Sequence, residues 1–223
     1  MANFSYFKNI DTHEKAYWLG YIYADGYVML SEGKRKRFGI SLSSKDKSQL
    51  EKLKKCIDST YPIKEYKQEV GYSIGSTYSR IIIDSDEMFD DLVSHGVVLN
   101  KTNIVKPPNI DKEFIPSFIL GYFDGDGSIF LNKGRSPFYS INIVGTDELL
   151  TFIHDYFKSV GIIKKDREVN LEKRREGQAV SYIRYGGNNL VSRIMEVLYQ
   201  NVDSDLPLER KRELYLKCKD RIF

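Results

Sequence analysis

A chain of 223 residues, 41% of them apolar and including 16 Tyr and 12 Phe, can bury a sizeable core and is not a disordered segment. Two cysteines, Cys56 and Cys218, and three scattered histidines, His13, His95 and His154, exclude a disulfide framework and a zinc site. The net charge of +3 is only mildly basic, yet the cations cluster at Lys34-Arg35-Lys36-Arg37, Lys173-Arg174-Arg175 and Arg210-Lys211-Arg212. Such stripes are what phosphate binding requires, although each cluster alone also reads as a solvated loop.

The amino terminus, MANFSYFKNIDTHEK, is not a signal peptide and no apolar run reaches membrane-spanning length, so a soluble, intracellular protein is expected. Asp11-Thr-His-Glu14 predicts a capping box and a helix to about Ala24, ended by Gly26. Alternation then predicts strands over Tyr27–Ser31 and Phe38–Ser43. Val28, Leu30, Ile40 and Leu42 face a core, while Met29, Ser31, Gly39, Ser41 and Ser43 face the other way. A helix from Asp46 to about Ile57, a hairpin of Glu65–Val70 with Tyr78–Ile83 and a helix over Asp86–Ser94 follow.

Two prolines stiffen Lys106-Pro-Pro-Asn-Ile-Asp111, a short joint. Beyond it Pro116 suits the first turn of a helix that runs to about Gly125 before Gly127. The next strands place Ile129, Leu131, Ile141 and Ile143 inward, with Phe130, Asn132, Ser140, Asn142 and Val144 outward. A helix over Asp147–Val160, a hairpin of Arg167–Lys173 with Val180–Tyr185 and a helix over Asn188–Gln200 complete the chain's pattern.

The second series repeats the first. AYWLGYIYADGYV from Ala16 lies over SFILGYFDGDGSI from Ser117, an offset of 101 positions, which pairs Gly20 with Gly121, Tyr21 with Tyr122, Asp25 with Asp126 and Gly26 with Gly127. The same offset sets Ile40–Asp46 over Ile141–Asp147 and Lys64 over Lys165. A register kept for so long marks a tandem duplication. The expected fold is therefore α+β, αββαββα twice, with halves 1–105 and 112–223, a linker over 106–111 and one pseudo-two-fold body.

Gly20 and Gly121 each cost a helix interior roughly 1 kcal/mol against Ala. Close approach of the two helix backbones explains both, and it brings Asp25 and Asp126 together at the paired helix ends. An aspartate at a helix carboxyl end is electrostatically unfavourable, so capping is a poor reason for either. Neighbouring carboxylates repel unless a cation bridges them, and oxygen ligands with room for water suit Mg²⁺.

Trp18-Leu-Gly-Tyr-Ile-Tyr-Ala-Asp-Gly26 and Ile119-Leu-Gly-Tyr-Phe-Asp-Gly-Asp-Gly127 resemble the paired motifs of LAGLIDADG homing endonucleases of the single-chain type. The resemblance implies motif helices packed at a pseudo-dyad and two antiparallel sheets forming a saddle over the DNA major groove. It implies catalytic, metal-binding Asp25 and Asp126, with the carbonyls of Ala24 and Gly125 as further ligands. Mg²⁺ is the implied cofactor, for which Mn²⁺ can substitute. Tyr23 stands where the second motif has Asp124, a position that is not the usual metal ligand. Lys45, Lys101 and Lys211 resemble the basic residues that balance charge on the scissile phosphate, and Thr146 stands at the repeat position of Lys45.

On the saddle, Met29, Ser31, Ser41, Ser43, Arg80, Phe130, Asn132, Asn142, Tyr182 and Arg184 would face bases, since Arg and Asn can make bidentate contacts to guanine and adenine. Lys34, Arg35, Arg37, Lys133 and Arg135 would reach phosphates or outer bases. Two sheets about a dyad cover about two helical turns, roughly 20 bp. Unlike outward residues in the halves imply an asymmetric site. The resemblance implies cutting of both strands to leave short 3′ overhangs, by a monomer without a protein partner. An RNA maturase assisting intron splicing and a non-catalytic DNA-binding regulator are the alternatives on this scaffold. Met1 stands directly before the first half, which argues against an intein.

Overall fold

Helix α1 (His13–Asp25) starts one residue later than a cap at Asp11 would place it. Thr12 is the N-cap, its hydroxyl oxygen accepting from the Lys15 backbone N–H at 3.2 Å, while Asp11 pairs with the Lys15 ammonium at 2.8 Å. Every residue from Ala16 to Tyr23 is buried, as expected for a helix with neighbours on all sides. Helix α4 (Ile115–Asp126) carries Pro116 in its first turn and is likewise buried from Pro116 to Asp124. The computed structural model describes residues 1–31, 33, 35–69, 74–99, 104–173 and 180–222.

Both helices run one residue past their predicted ends, so Asp25 and Asp126 are the last helical residues. Gly26 and Gly127 close them in extended conformation, with φ of −80° and −95°. Glycine is therefore needed here for space and not for a left-handed turn. A Cβ on Gly26 would lie 2.9 Å from the Ile22 carbonyl oxygen, and one on Gly127 would lie 2.5 Å from that of Phe123.

Strands β1 (Gly26–Leu30), β2 (Lys36–Ser43), β3 (Lys64–Lys67) and β4 (Thr77–Asp84) form an antiparallel sheet in the order β1-β2-β4-β3. Strands β5 (Gly127–Asn132), β6 (Phe138–Thr146), β7 (Leu171–Lys173) and β8 (Val180–Gly186) form a second in the order β5-β6-β8-β7. Helices α2 (Lys47–Cys56) and α3 (Asp86–Ser94) pack on the first sheet, α5 (Asp147–Ser159) and α6 (Asn188–Tyr199) on the second. This is the anticipated α+β duplication, although β3 and β7 are shorter than predicted. Val70, at the predicted end of β3, lies outside the described residues. A further helix, α7 (Glu209–Lys219), escaped the sequence reading and packs on α6 and β5.

Val28, Phe38, Ile40, Ile81 and Ile83 line one core and Ile129, Ile141, Ile143, Ile183 and Tyr185 the other. Leu30, expected to face inward, is half exposed at the last position of β1, opposite Lys36. Gly39 and Ser140, expected outward, are buried on that face by neighbours: the Tyr27 ring lies over Gly39, and Asn132 donates to the Ser140 hydroxyl at 2.8 Å.

The repeat also slips within the sheets. Gly26 pairs with Ile40, but Gly127 pairs with Ile143 rather than with Ile141, so the second hairpin is displaced by two residues. Side chains alternate with period two, so a shift of two keeps every residue on its predicted face. The offset of 101 therefore read the faces correctly and the rows incorrectly.

Helices α1 and α4 touch backbone to backbone. A Cβ on Gly20 would sit 1.9 Å from the Phe118 carbonyl oxygen, and one on Gly121 1.9 Å from that of Tyr17. Alanine normally stabilises a helix over glycine by about 1 kcal/mol. Here overpacking against backbone reverses the sign, and we expect Gly20→Ala or Gly121→Ala to lower the unfolding free energy by about 3 kcal/mol. Urea denaturation checks this against Gly134→Ala, where a Cβ meets nothing within 4 Å and stability should hold.

Candidate active site at the paired helix ends

The glycine contact carries the two helices to a common end. Asp25 is half-buried and Asp126 is exposed. Between them a Cβ on Gly125 would lie 2.2 Å from the Ala24 Cβ and 3.1 Å from Asp25 Oδ2, so the first carboxylate rests against the backbone that leads into the second. The Tyr122 hydroxyl donates to the Val144 carbonyl at 2.8 Å; burial, then the charge of Asp126 and that of Asp25, push its pKa upward. Tyr21 is buried beside Asp25, and burial followed by the charges of Asp25, Asp124 and Asp46 raises its pKa well above the usual tyrosine value. Both phenols stay neutral, and the site gathers negative charge at a partly open surface. The Gly-Tyr identity in the repeat was the available signal for these tyrosines, but their nearness to the carboxylates was not legible.

A family model described as a LAGLIDADG-like domain matches the chain in two segments, residues 12–90 and 113–198. The chain belongs to the LAGLIDADG family. No curated protein matches it by sequence. In fold it is similar to the LAGLIDADG homing endonuclease I-GzeII in complex with its DNA target, at TM-score 0.62 and 12% identity, over 93% of this chain and 90% of that one. It is also similar to the meganuclease I-AabMI bound to uncleaved DNA (TM-score 0.59, 14% identity, 92% and 90% covered). The I-LtrWI homing endonuclease bound to target DNA gives TM-score 0.56 and 14% identity, over 99% and 92% of the two chains.

Within this LAGLIDADG site the helix ends are held differently. Lys211, from the first turn of α7, is 2% exposed, and its ammonium donates at 2.6 Å to each of the carbonyls of Phe123, Asp124 and Gly127. A cation at a helix carboxyl end opposes the dipole that the aspartates aggravate. Burial pulls the Lys211 pKa down to about 8, with Asp124 foremost among the groups that favour its charge. Lys211 thus holds the end of α4 instead of projecting toward open surface, which differs from the role drawn for it from the resemblance. Asp124 is buried, and its Oδ2 accepts from the Tyr17 hydroxyl and the Leu208 N–H, both at 2.8 Å. Its counterpart Tyr23 donates to the His95 carbonyl after α3. Each residue ties its motif helix to a later segment, which accounts for the Tyr23/Asp124 departure.

The segment from Leu206 into the first turn of α7, a C-terminal strap, also grips the first half. Gln49 donates to the Tyr17 hydroxyl at 2.7 Å and the Leu206 carbonyl at 2.9 Å. Arg210 pairs twice with Asp46, at 2.9 Å for each bond. Lys45 is exposed on the 3₁₀ turn Ser44–Asp46, next to that pair. Thr146, at its repeat position, caps α5 by accepting from the Leu149 N–H and donates to the Val105 carbonyl at 2.6 Å, so it has a structural duty. Lys34 and Lys101 lie outside the described residues.

One face of each sheet lies away from its core. On the first are Met29, Arg37, Ser41, Ser43 and Arg80; on the second Phe130, Asn132, Asn142, Tyr182 and Arg184. Ser31 and Arg35 close the first hairpin through the Ser31 N–H to the Arg35 carbonyl at 2.9 Å, and Lys133 and Arg135 are exposed in the second turn. Not all of these groups are available: Arg37 pairs with Asp84, and the Tyr182 hydroxyl donates to Glu172.

Two measurements follow from the strap. Lys211→Met leaves three carbonyls short of their donor and should cost about 3 kcal/mol in urea denaturation. Burial, opposed chiefly by Lys211, raises the Asp124 carboxyl from 3.8 to about 6. Between those values the folded state binds more protons than the unfolded one, so this group's contribution to stability falls as pH rises from about 4 to about 6. Asp124→Asn should remove that component from a stability–pH series; an unchanged slope would place the titration elsewhere.

Proposed function

We propose that this LAGLIDADG protein is a homing endonuclease that acts as a monomer and hydrolyses both strands of a DNA duplex at one long, asymmetric site. The observation that carries the proposal is the convergence of Asp25 and Asp126 at touching helix ends, between two sheets whose uncovered faces bear Arg, Asn and Ser. Its halves, 1–105 and 112–223 joined by 106–111, each engage one half-site. Two sheets about a dyad imply roughly 20 bp of contact. The DNA complexes of I-GzeII and I-AabMI support the same reading.

The donor set fits a hard divalent cation such as Mg²⁺, or Mn²⁺ in its place: two carboxylates at the helix ends, with the carbonyls of Ala24 and Gly125 beside them. Among the described residues no group of three or more His, Cys, Asp or Glu could hold a metal, so the fit rests on carboxylate and carbonyl oxygen alone. Such a cation, when bound, activates water and stabilises the leaving oxygen of a phosphodiester. The chain's own contribution is positional. Asp25 and Asp126 hold the reacting groups at the dyad, one near each scissile phosphate, and the cuts leave short 3′ overhangs. Lys211 keeps the α4 end in place, while Lys45 and Lys101 supply positive charge toward the DNA backbone. Unequal supports at the two helix ends imply unequal rates on the two strands.

Cleavage of a randomised duplex library with Mg²⁺ identifies the site, after which Asp25→Asn and Asp126→Asn should bind it without double-strand cutting. Chelation of divalent ions should have the same effect on the wild type. Full double-strand cleavage by either variant overturns the assignment.

A further inference from the structure

Arg80 in the first half and Arg184 in the second both stand on the uncovered sheet face, and the strand pairing sets these two arginines in different rows. In the first sheet, the row nearest the end of the motif helix on this face is Tyr27, Gly39 and Ile82. The equivalent row of the second sheet, fixed by Gly26 opposite Ile40 and Gly127 opposite Ile143, is Ser128, Asn142 and Arg184. Arg80 belongs to the adjacent row, with Ser41 and Lys64, whose equivalent in the second half holds Val144, Tyr182 and Glu172. Arg80 and Arg184 are therefore not mates under the pseudo-dyad, although the sequence offset that pairs Ser41 with Asn142 suggests that they are.

Both side chains are held ready. The Arg80 guanidinium lies 4.5 Å from the Tyr66 ring centre, and Tyr66 stacks on Tyr78 with centroids 5.3 Å apart. Stacking on an aromatic ring fixes the plane of the fork and limits the entropy lost on binding. Arg184 donates from Nε to Asn142 Oδ1 at 3.0 Å and lies 5.7 Å from the Phe130 ring. Among the described residues neither arginine is in an ion pair, in contrast to Arg37 on the same face, which pairs with Asp84. A guanidinium fork without a carboxylate, fixed in plane on a strand that can enter the major groove, matches the O6 and N7 acceptors of guanine.

We infer that Arg80 and Arg184 each read a guanine and that the two guanines stand at unequal distances from the centre of the site. Adjacent rows on one face are two residues apart, about 6.6–6.8 Å along a strand. Base pairs rise 3.4 Å along the DNA axis. A strand inclined across the groove projects less than its full length on that axis, so the displacement is one to two base pairs. Strand β1 leaves Asp25 and runs outward, and the Arg80 row lies on the inner side of the Tyr27 row. The guanine read by Arg80 is thus the one nearer the centre. The inference rests on the DNA-cleaving function proposed above.

The test is selection of bound duplexes from a randomised library in Ca²⁺ by the wild type and by the Arg80→Lys, Arg80→Ala, Arg184→Lys and Arg184→Ala variants. Lysine keeps the charge but not the fork, so each Lys variant should keep general affinity and lose roughly ten- to a hundred-fold of guanine discrimination at one position. The position lost with Arg80 should lie one to two base pairs nearer the centre than the one lost with Arg184. Loss at mirror-related positions overturns the row assignment. An even weakening across all sequences, with no position lost, shows phosphate contacts and overturns base reading. A folded wild type that selects no duplex overturns the endonuclease reading together with this inference.

Discussion

The contact between α1 and α4 is the constraint on which the rest of the molecule depends. At Gly20 and Gly121 each helix presses a backbone carbonyl, that of Phe118 or Tyr17, into the space where the other would carry a Cβ. Such proximity is unusual for soluble helices, whose axes normally stay 8–10 Å apart according to the side chains between them. Its consequence is geometric. Helices in such close contact bring their carboxyl ends together, and whatever stands at those ends becomes a single site fed by two halves of the chain. Asp25 and Asp126 stand there, each five residues beyond its glycine.

Placing two carboxylates at adjoining helix ends is electrostatically costly, and the surroundings show how the cost is met. Tyr21 and Tyr122 are kept neutral by burial and by the same negative charge. Lys211 neutralises the carbonyl end of α4 from within the core. The remaining charge faces outward, on half-buried Asp25 and exposed Asp126. A buried lysine without a carboxylate in its own coordination is a demanding arrangement, since desolvation alone is large. Three carbonyls at a helix terminus, where their dipoles add, make it tenable.

Duplication within one chain lets the halves diverge while that contact is preserved. The first half anchors its motif helix through Tyr23 to the end of α3, the second through Asp124 to the strap before α7. The strap then reaches across to Gln49 and Asp46, so the second half's extra helix fastens both halves together. The two-residue slip of the second hairpin is a divergence of the same kind. It left every side chain on its own face and moved the polar rows relative to the dyad.

What the sequence by itself determined was everything that repeats at fixed spacing. The motif glycines, the two aspartates, the inward Val, Ile and Leu of the strands and the order αββαββα all follow from local periodicity and from one offset. These are short-range signals, which is why they survive without a structure. Tertiary structure decided what depends on partners distant in the chain. It showed that Lys211 is spent on the carbonyls of α4, that Thr146 caps a helix where Lys45 is exposed, that Arg37 is neutralised by Asp84 across the sheet, and that Arg80 and Arg184 occupy different rows. Helix α7 carries too few apolar residues to announce itself, and is stabilised by the network it joins. Periodicity specifies a face, but only pairing specifies a neighbour, because backbone register is set by contacts that the local sequence does not contain.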